Sequence, residues 1–269
     1  AILFAAKLHT TAEGRELTSP LRIVNLSFGV DIDVPDLRLA CTRAANMGVL
    51  LVGAVGNTGQ RVQFPARYSS VLAVGAVDRR LETTAYSNYG DEVSISAPGG
   101  LMDRDVCAAG WPDGILSCVL DGTVHPIEPA HAYLQGTSQA APHVAGAAAL
   151  LLSVDPTLSR QRLWDLLVGG ALDRGAPGPD VAYGSGVLRV HHSLKLLLST
   201  MGTPLATSPR LQLAQNSIQF DGFRDRHEVT VDQYLSCFRT GACTMRAWTG
   251  RALKKSLQVC HRRPRAAGC

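Results

Sequence analysis

The hydrophobic positions of the chain fall into short apolar runs separated by amphipathic or glycine-bearing stretches. Four runs, residues 22–30, 49–57, 71–78 and 93–99, have the length and β-branched content of strands that are covered on both faces. The opening run, AILFAAKL, is interpreted as a further strand. Because these runs alternate with helical stretches, the pattern predicts an α/β fold in which helices flank a parallel sheet.

The helical stretches are marked by residues that favour helix ends. Residues 35–47 are predicted to form an amphipathic helix that Gly48 ends. Pro142 is predicted to begin an alanine-rich helix over residues 142–153, since a missing N–H is harmless in a first turn. Residues 100–133 are rich in glycine, proline and aspartate and are predicted to be mainly loop.

A change of composition near Ser199 predicts three parts of the chain. Residues 1–199 form the predicted domain, residues 200–224 are polar and proline-bearing and read as a linker, and residues 225–269 form a basic tail. Such a tail is too short to bury a sufficient core alone. The chain is thus predicted to contain one sizeable folded domain.

Composition narrows the class of protein. The chain of 269 residues is 46% hydrophobic and 18% charged, which is typical of a globular protein. We expect no membrane partner, because no apolar run has the length of a membrane span. The net charge is +4, and the basic run over residues 246–265 has no nucleic-acid-reading motif. That run is interpreted as a solvated tail, and no nucleic-acid partner is predicted.

The seven cysteines lack zinc-site spacing, and Cys107 with Cys118 is the favoured disulfide candidate.

Two motifs carry candidate chemistry. In LQGTSQAAPHVAG, Ser138 lies at the mouth of the predicted alanine-rich helix, where it could be a nucleophile or simply the residue that caps the helix. In GAVGN, Asn57 ends a predicted buried strand, where its amide could donate to a developing negative charge or serve a turn. Each motif alone leaves both readings open.

Taken together, the motifs resemble those of the subtilisin-like serine proteases, the S8 family of subtilases. The resemblance covers residues 1–198 and rests on matching order and spacing. The segments that carry it are RIVNLSFG, LLVGAVGNTG, FPARYSSVLAVGAVD, VSISAPG and YLQGTSQAAPHVAGAAALLL. It implies a subtilisin-like three-layer sandwich, proteolysis of protein or peptide substrates, and a secreted or cell-envelope location.

The resemblance assigns roles to individual positions. Ser138 matches the acylating serine, and Asn57 matches the asparagine that forms the oxyanion hole with the Ser138 backbone N–H. The strand that pairs with extended substrate is matched by Ser27, Phe28 and Gly29. The opposite wall of the first specificity pocket is matched by Ala54, Val55 and Gly56. A pocket with these walls implies that the substrate side chain bound in it is large and apolar.

Two motifs of the family are missing from these 269 residues. The D-[ST]-G of the triad aspartate and the H-G-T-H of the triad histidine do not occur. We expect both to lie upstream of residue 1, so that this chain is the C-terminal portion of a catalytic domain and is inactive alone. The upstream segment is therefore an expected partner.

Other histidines are weaker candidates for the base. His143 is structural in the family, and His125 and His131 lack an obvious orienting acid. His9 is expected to be exposed. The family's second cation site needs a carboxylate where this chain has Ser94, so no metal and no cofactor are expected.

The tail has a second, local resemblance. Residues 226–243 resemble the start of a formylglycine-generating (sulfatase-modifying) domain. The matching residues are Glu228, Val229, Thr230, Gln233, Tyr234, Cys237 and Cys243. A disulfide-bearing or disordered tail is the alternative.

For the whole chain, the leading hypothesis is a serine endopeptidase, and the rival is a catalytically dead subtilase-like scaffold that binds extended peptides.

Overall fold

A computed structural model describes residues 1–11, 14–105, 110, 112–121 and 128–201. Nearly all of these residues belong to one compact unit, Ala1–Arg104 with Pro112–Thr203. Its elements in chain order are α1 (Ile2–Ala5), β1 (Ile23–Leu26), α2 (Pro35–Asn46), β2 (Leu50–Ala54), β3 (Val71–Val77), β4 (Val93–Pro98), β5 (Ile115–Asp121), β6 (Glu128–Leu134), α3 (Thr137–Val154), α4 (Arg160–Gly169) and α5 (Val190–Thr200).

The four predicted strands form one parallel sheet in the order β1-β2-β3-β4. Every residue of β2 and β3 is buried, which explains why both read as continuous apolar runs. The predicted fold class, a parallel sheet flanked by helices, is confirmed.

Alternate residues of β2 serve two hydrophobic layers. Leu50 and Val52 pack in one core with α3, α4 and α5, whereas Leu51 packs in a second core with Cys41 and Ala44 of α2. Burial raises the pKa of the Cys41 thiol to about 11, so this cysteine stays protonated as a core residue. The sheet is thus held between two helical layers, with its strand ends free to carry a site.

The first element is a helix, so the strand predicted for AILFAAKL is wrong. Ile2–Ala5 forms α1, Ile2 and Ala6 pack in the second core, and Ala5 is buried as well. These positions have the i, i+3, i+4 spacing of a helix. A short apolar run fits both periods, and here packing on α2 decides between them.

Two further departures lie around the candidate nucleophile. The alanine-rich helix α3 begins at Thr137, five positions before Pro142, so Pro142 lies inside the helix. The segment predicted to be loop contains the antiparallel hairpin of β5 and β6, with Cys118 opposite His131. The segment ILSCVLD is mostly apolar and contains β-branched residues, which favours a strand, but the sequence interpretation followed the glycine, proline and aspartate of the whole segment.

Several sequence predictions concern residues outside the described ranges. They include most of the 200–224 linker, the 225–269 tail with its formylglycine-type resemblance, His125, and Cys107 of the predicted disulfide. Cys118 carries a free thiol, 3.4 Å from the His131 Nε2 atom. Within the described ranges, no helix is both long and apolar enough to cross a membrane.

Candidate active site

Ser138 is the second residue of α3, and the structure shows how the chain enters this helix. The N-cap residue is Gly136 at φ 140°, a conformation that side chains disfavour, and no side chain caps the helix. Gly136 N donates to Gly99 O at 2.9 Å and to the Tyr86 hydroxyl at 3.2 Å. The interpretation of Ser138 as the capping residue is therefore wrong, and its hydroxyl is not used to cap the helix.

The Ser138 side chain and backbone pair with one residue beyond β1. Ser138 Oγ donates to Ser27 O at 3.4 Å, and Ser27 Oγ donates to Ser138 O at 3.0 Å. In a regular helix the Ser138 carbonyl would accept the N–H of residue 142, but Pro142 has none. Ser27 supplies the missing donor, which makes a proline inside α3 compatible with a paired carbonyl.

Asn57 lies three positions after β2, and its amide is oriented by Thr137. Asn57 Oδ1 accepts from the Thr137 N–H at 2.8 Å and from the Thr137 hydroxyl at 2.9 Å. The Asn57 Nδ2 group must then face away from Thr137. Neither Nδ2 nor the Ser138 N–H donates to another described residue. Asn57 Nδ2 and the Ser138 N–H are therefore two donors without a described acceptor, on residues that both adjoin Thr137, and an oxyanion hole uses donors of this kind.

Thr137 is a site residue to which the sequence interpretation gave no role. It is fully buried, and its hydroxyl also accepts from Gly56 N at 3.2 Å. It thereby joins the end of β2 to the start of α3. The signal for it was the threonine of the GTS triplet, but a buried threonine there also fits simple packing.

Asn88 holds the loop that follows β2. Its Oδ1 accepts from Thr58 N at 2.8 Å, Thr58 Oγ1 at 2.9 Å and Gln60 N at 3.1 Å, and its Nδ2 donates to Arg61 O at 2.8 Å. Its backbone N–H donates to Gly56 O at 3.1 Å. With 1% of its surface exposed, Asn88 is a buried polar side chain with a full set of partners.

Replacing Asn88 by alanine should lower the free energy of unfolding by about 2–4 kcal/mol, because three donors and one carbonyl lose a buried partner. Urea denaturation measures the change. Asn46→Ala is the matched control, since Asn46 is exposed at the end of α2 and should change stability by at most about 0.5 kcal/mol. Equal stability of the Asn88 and Asn46 variants would show that the network does not hold the loop.

The two predicted substrate-binding segments lie on neighbouring strand ends. Residues 27–29 directly follow β1, and the Phe28 side chain is 48% exposed. The backbone groups of Phe28 and Gly29 make no hydrogen bond to another described residue. On the other side, Ala54 and Val55 are buried. The structure thus presents an unpaired stretch of backbone next to Ser138, as extended peptide requires.

Two of the described histidines bond to groups other than the Ser138 hydroxyl. His143 Nδ1 lies 2.8 Å from Gln139 O of its own helix, and His131 contacts Cys118 across the hairpin. His9 is exposed. Ser138 borders a cavity of about 260 Å³, which is lined by Ile115, Ser117, Ser138, Gln139, Pro142 and His143. Among the described residues, no histidine hydrogen-bonds to the Ser138 hydroxyl.

Comparisons with known proteins place these features in a family. The chain is 36% identical over 187 residues to a thermostable alkaline protease of Halalkalibacterium halodurans, covering 68% of this chain and 45% of that protein. It is 34% identical over 177 residues to subtilisin DY of Bacillus licheniformis, covering 63% of this chain and 56% of that protein. The chain therefore spans about half the length of these relatives.

Solved structures give the same answer for the fold. A protease structure from Pseudoalteromonas arctica PAMC 21717 matches with a TM-score of 0.63 and 27% identity, over 73% of this chain and 57% of that chain. A lanthipeptide protease matches with a TM-score of 0.57 and 28% identity, over 66% of this chain and 62% of that chain. The profile of the subtilase family, Peptidase S8, matches residues 6–186. This chain belongs to the subtilase family.

Proposed function

We propose that the chain is part of a serine endopeptidase that cleaves peptide bonds through an acyl-enzyme on Ser138. The Ser138 Oγ atom gives its proton to the base and attacks the scissile carbonyl carbon, and the carbonyl oxygen becomes negatively charged. Asn57 Nδ2 and the Ser138 N–H stabilise that charge, the amine leaves with a proton from the base, and water then hydrolyses the ester. The observation that carries the proposal is that Thr137, the residue before Ser138, bonds twice to Asn57 Oδ1 and so leaves Nδ2 as the part of the amide that can donate.

The base and its orienting carboxylate are proposed to come from a segment that precedes residue 1. Three observations support this. No described histidine hydrogen-bonds to the Ser138 hydroxyl, the family order places aspartate and histidine before serine, and β1 is an edge strand of the four-stranded sheet. An upstream strand paired with β1 would cover that edge and bring its carboxyl end towards Ser138.

Asn57→Asp tests the oxyanion hole, because aspartate keeps an acceptor for Thr137 but cannot donate. In the complete protein we expect kcat on a peptide substrate to fall by ~10²–10³, the loss seen in subtilisin when its oxyanion asparagine is removed, while KM stays similar. Asn46→Asp, the same change at an exposed remote site, is the control. A kcat that falls no further than in the control would remove Asn57 from the mechanism.

A peptide-binding module without activity is the second candidate function. The unpaired backbone of Phe28 and Gly29 favours it, because that surface needs no catalytic base. The coding region upstream of residue 1 separates the two functions. In-frame D-[ST]-G and H-G-T-H motifs, with casein hydrolysis by the complete protein, support the peptidase. Other residues at those motifs, with peptide binding but no hydrolysis, support the binding module.

A further inference from the structure

Gln63 lies between the two predicted walls of the first specificity pocket, and backbone hydrogen bonds hold it there. Gln63 N donates to Val55 O at 2.9 Å, next to the wall formed by residues 54–56. The following residue, Phe64, pairs with Val30 in both directions at 2.8 and 2.9 Å, next to the wall formed by residues 27–29. Gln63 is therefore attached to both walls through its own backbone and that of its neighbour.

The Gln63 side chain fills the space between two wall glycines. A Cβ atom on Gly29 would lie 2.5 Å from Gln63 Oε1, and a Cβ atom on Gly56 would lie 2.5 Å from the same oxygen. The Gly29 position would also lie 3.0 Å from Gln63 Cβ. The side chain thus runs alongside Gly29 and reaches Gly56, where the two walls approach each other.

The direction of the Gln63 amide is set by Asp31. Gln63 Nε2 donates to Asp31 Oδ1 at 2.7 Å. An ionised carboxylate can only accept, so the NH₂ group must face Asp31 and the amide oxygen must face the glycines. The pocket therefore has a hydrogen-bond acceptor between its walls, with a carboxylate behind it.

We propose that Gln63 fills the first specificity pocket, so that the site takes substrates with a short, hydrogen-bond-donating side chain at the scissile residue. The scissile residue is the one whose carbonyl Ser138 attacks, and the proposal rests on the proposed function of this site. The donor, such as a serine hydroxyl, bonds to Gln63 Oε1. This differs from the large apolar preference that the walls imply by themselves.

A large apolar side chain must displace Gln63 before it can enter. Displacement breaks the bond between Gln63 Nε2 and Asp31 Oδ1. One methylene more or less in a hydrophobic pocket changes discrimination by ~10–200-fold, so the volume that Gln63 occupies should strongly weaken binding of a large side chain. Removing the Gln63 side chain should open the slot between Gly29 and Gly56.

The inference is tested by peptide binding, because binding can be measured in a protein that does not hydrolyse peptides. The complete protein carrying Ser138→Ala is titrated into labelled peptides that differ only at the scissile residue, which is serine, alanine, leucine or phenylalanine, and anisotropy gives Kd. We expect the serine peptide to bind at least ~10-fold tighter than the phenylalanine peptide. Gln63→Ala should reverse that order, and Asp31→Ala should give an intermediate profile because Gln63 can then move. Gln60→Ala, an exposed glutamine of the same loop, should change nothing.

Three results would overturn the inference: tighter binding of the phenylalanine peptide with Gln63 present, an unchanged profile in Gln63→Ala, or no binding of any peptide. Hydrolysis is measured separately on the protein with Ser138 intact. Binding with the expected profile but without hydrolysis would contradict the proposed peptidase and leave the inference standing.

Discussion

Ser138→Ala should lower the turnover of the complete protein by about 10⁶-fold, because alanine has no atom that can form the acyl ester. In subtilisin, loss of the serine costs about as much as loss of the whole triad, ~10⁶ in kcat. The variant should fold normally, since Ser138 Oγ makes one long bond of 3.4 Å and the Ser27–Ser138 O bond does not use the Ser138 side chain. Initial rates on a fluorogenic peptide measure the loss.

Ser153→Ala is the matched control for this experiment. Ser153 is an exposed serine of the same helix whose hydroxyl donates to Leu150 O at 2.7 Å. Its loss should leave kcat unchanged, because it lies about four turns from the site. If Ser138→Ala retains the activity of Ser153→Ala, then Ser138 is not the nucleophile.

The second large effect is the absence of activity in residues 1–269 alone. No described histidine hydrogen-bonds to the Ser138 hydroxyl, so no described base takes its proton at neutral pH, and loss of the histidine in subtilisin also costs ~10⁶ in kcat. We therefore expect no measurable peptide hydrolysis from this chain until the upstream segment is joined to it. Circular dichroism on both forms checks that the comparison is made between folded proteins.

Residues 1–269 alone are also expected to associate. β1 lies at the end of the four-stranded sheet, and an unpaired edge favours association. Hydrolysis by residues 1–269 at the rate of the joined protein would show that a histidine within these residues is the base, and His131 or His125 would then be the candidates.

The sheet could be predicted from the sequence because its strands are buried on both faces. Apolar runs such as residues 49–57 and 71–78 are typical of strands covered by helices, and β2 and β3 lie within them. The run AILFAAKL was read wrongly because an apolar run this short fits a helix as well as a strand. Its helical state depends on contacts with α2, which local sequence does not encode.

The start of α3 could not be predicted, because proline normally marks a first turn. Pro142 lies five positions after the first residue of α3 and leaves the Ser138 carbonyl without its helical donor. Ser27 donates to that carbonyl instead, although it is 111 residues away from Ser138 in sequence. Pairings of this length leave no periodic signal. The position of the nucleophile motif at a helix mouth was nevertheless correct.

Motifs in the sequence led to one part of the candidate site, and the rest became visible only through contacts in the fold. Ser138 and Asn57 stand in distinctive motifs, and the structure joins them through Thr137. Asn88 and Gln63 stand in segments without a motif. Their roles arise from side-chain hydrogen bonds across 27 to 32 residues, which appear only when the loop after β2 closes on its neighbours.

Fluorophosphonate labelling tests the central claim most directly, because the probe reacts with a serine only when a base and an oxyanion hole activate it. The complete protein and residues 1–269 alone are treated with the probe at neutral pH, and the modified residue is located by peptide mass spectrometry. We predict rapid, stoichiometric modification of Ser138 in the complete protein and none in residues 1–269 alone. Failure of Ser138 to react in a complete protein that has both upstream motifs, or its rapid stoichiometric reaction in residues 1–269 alone, would contradict this account.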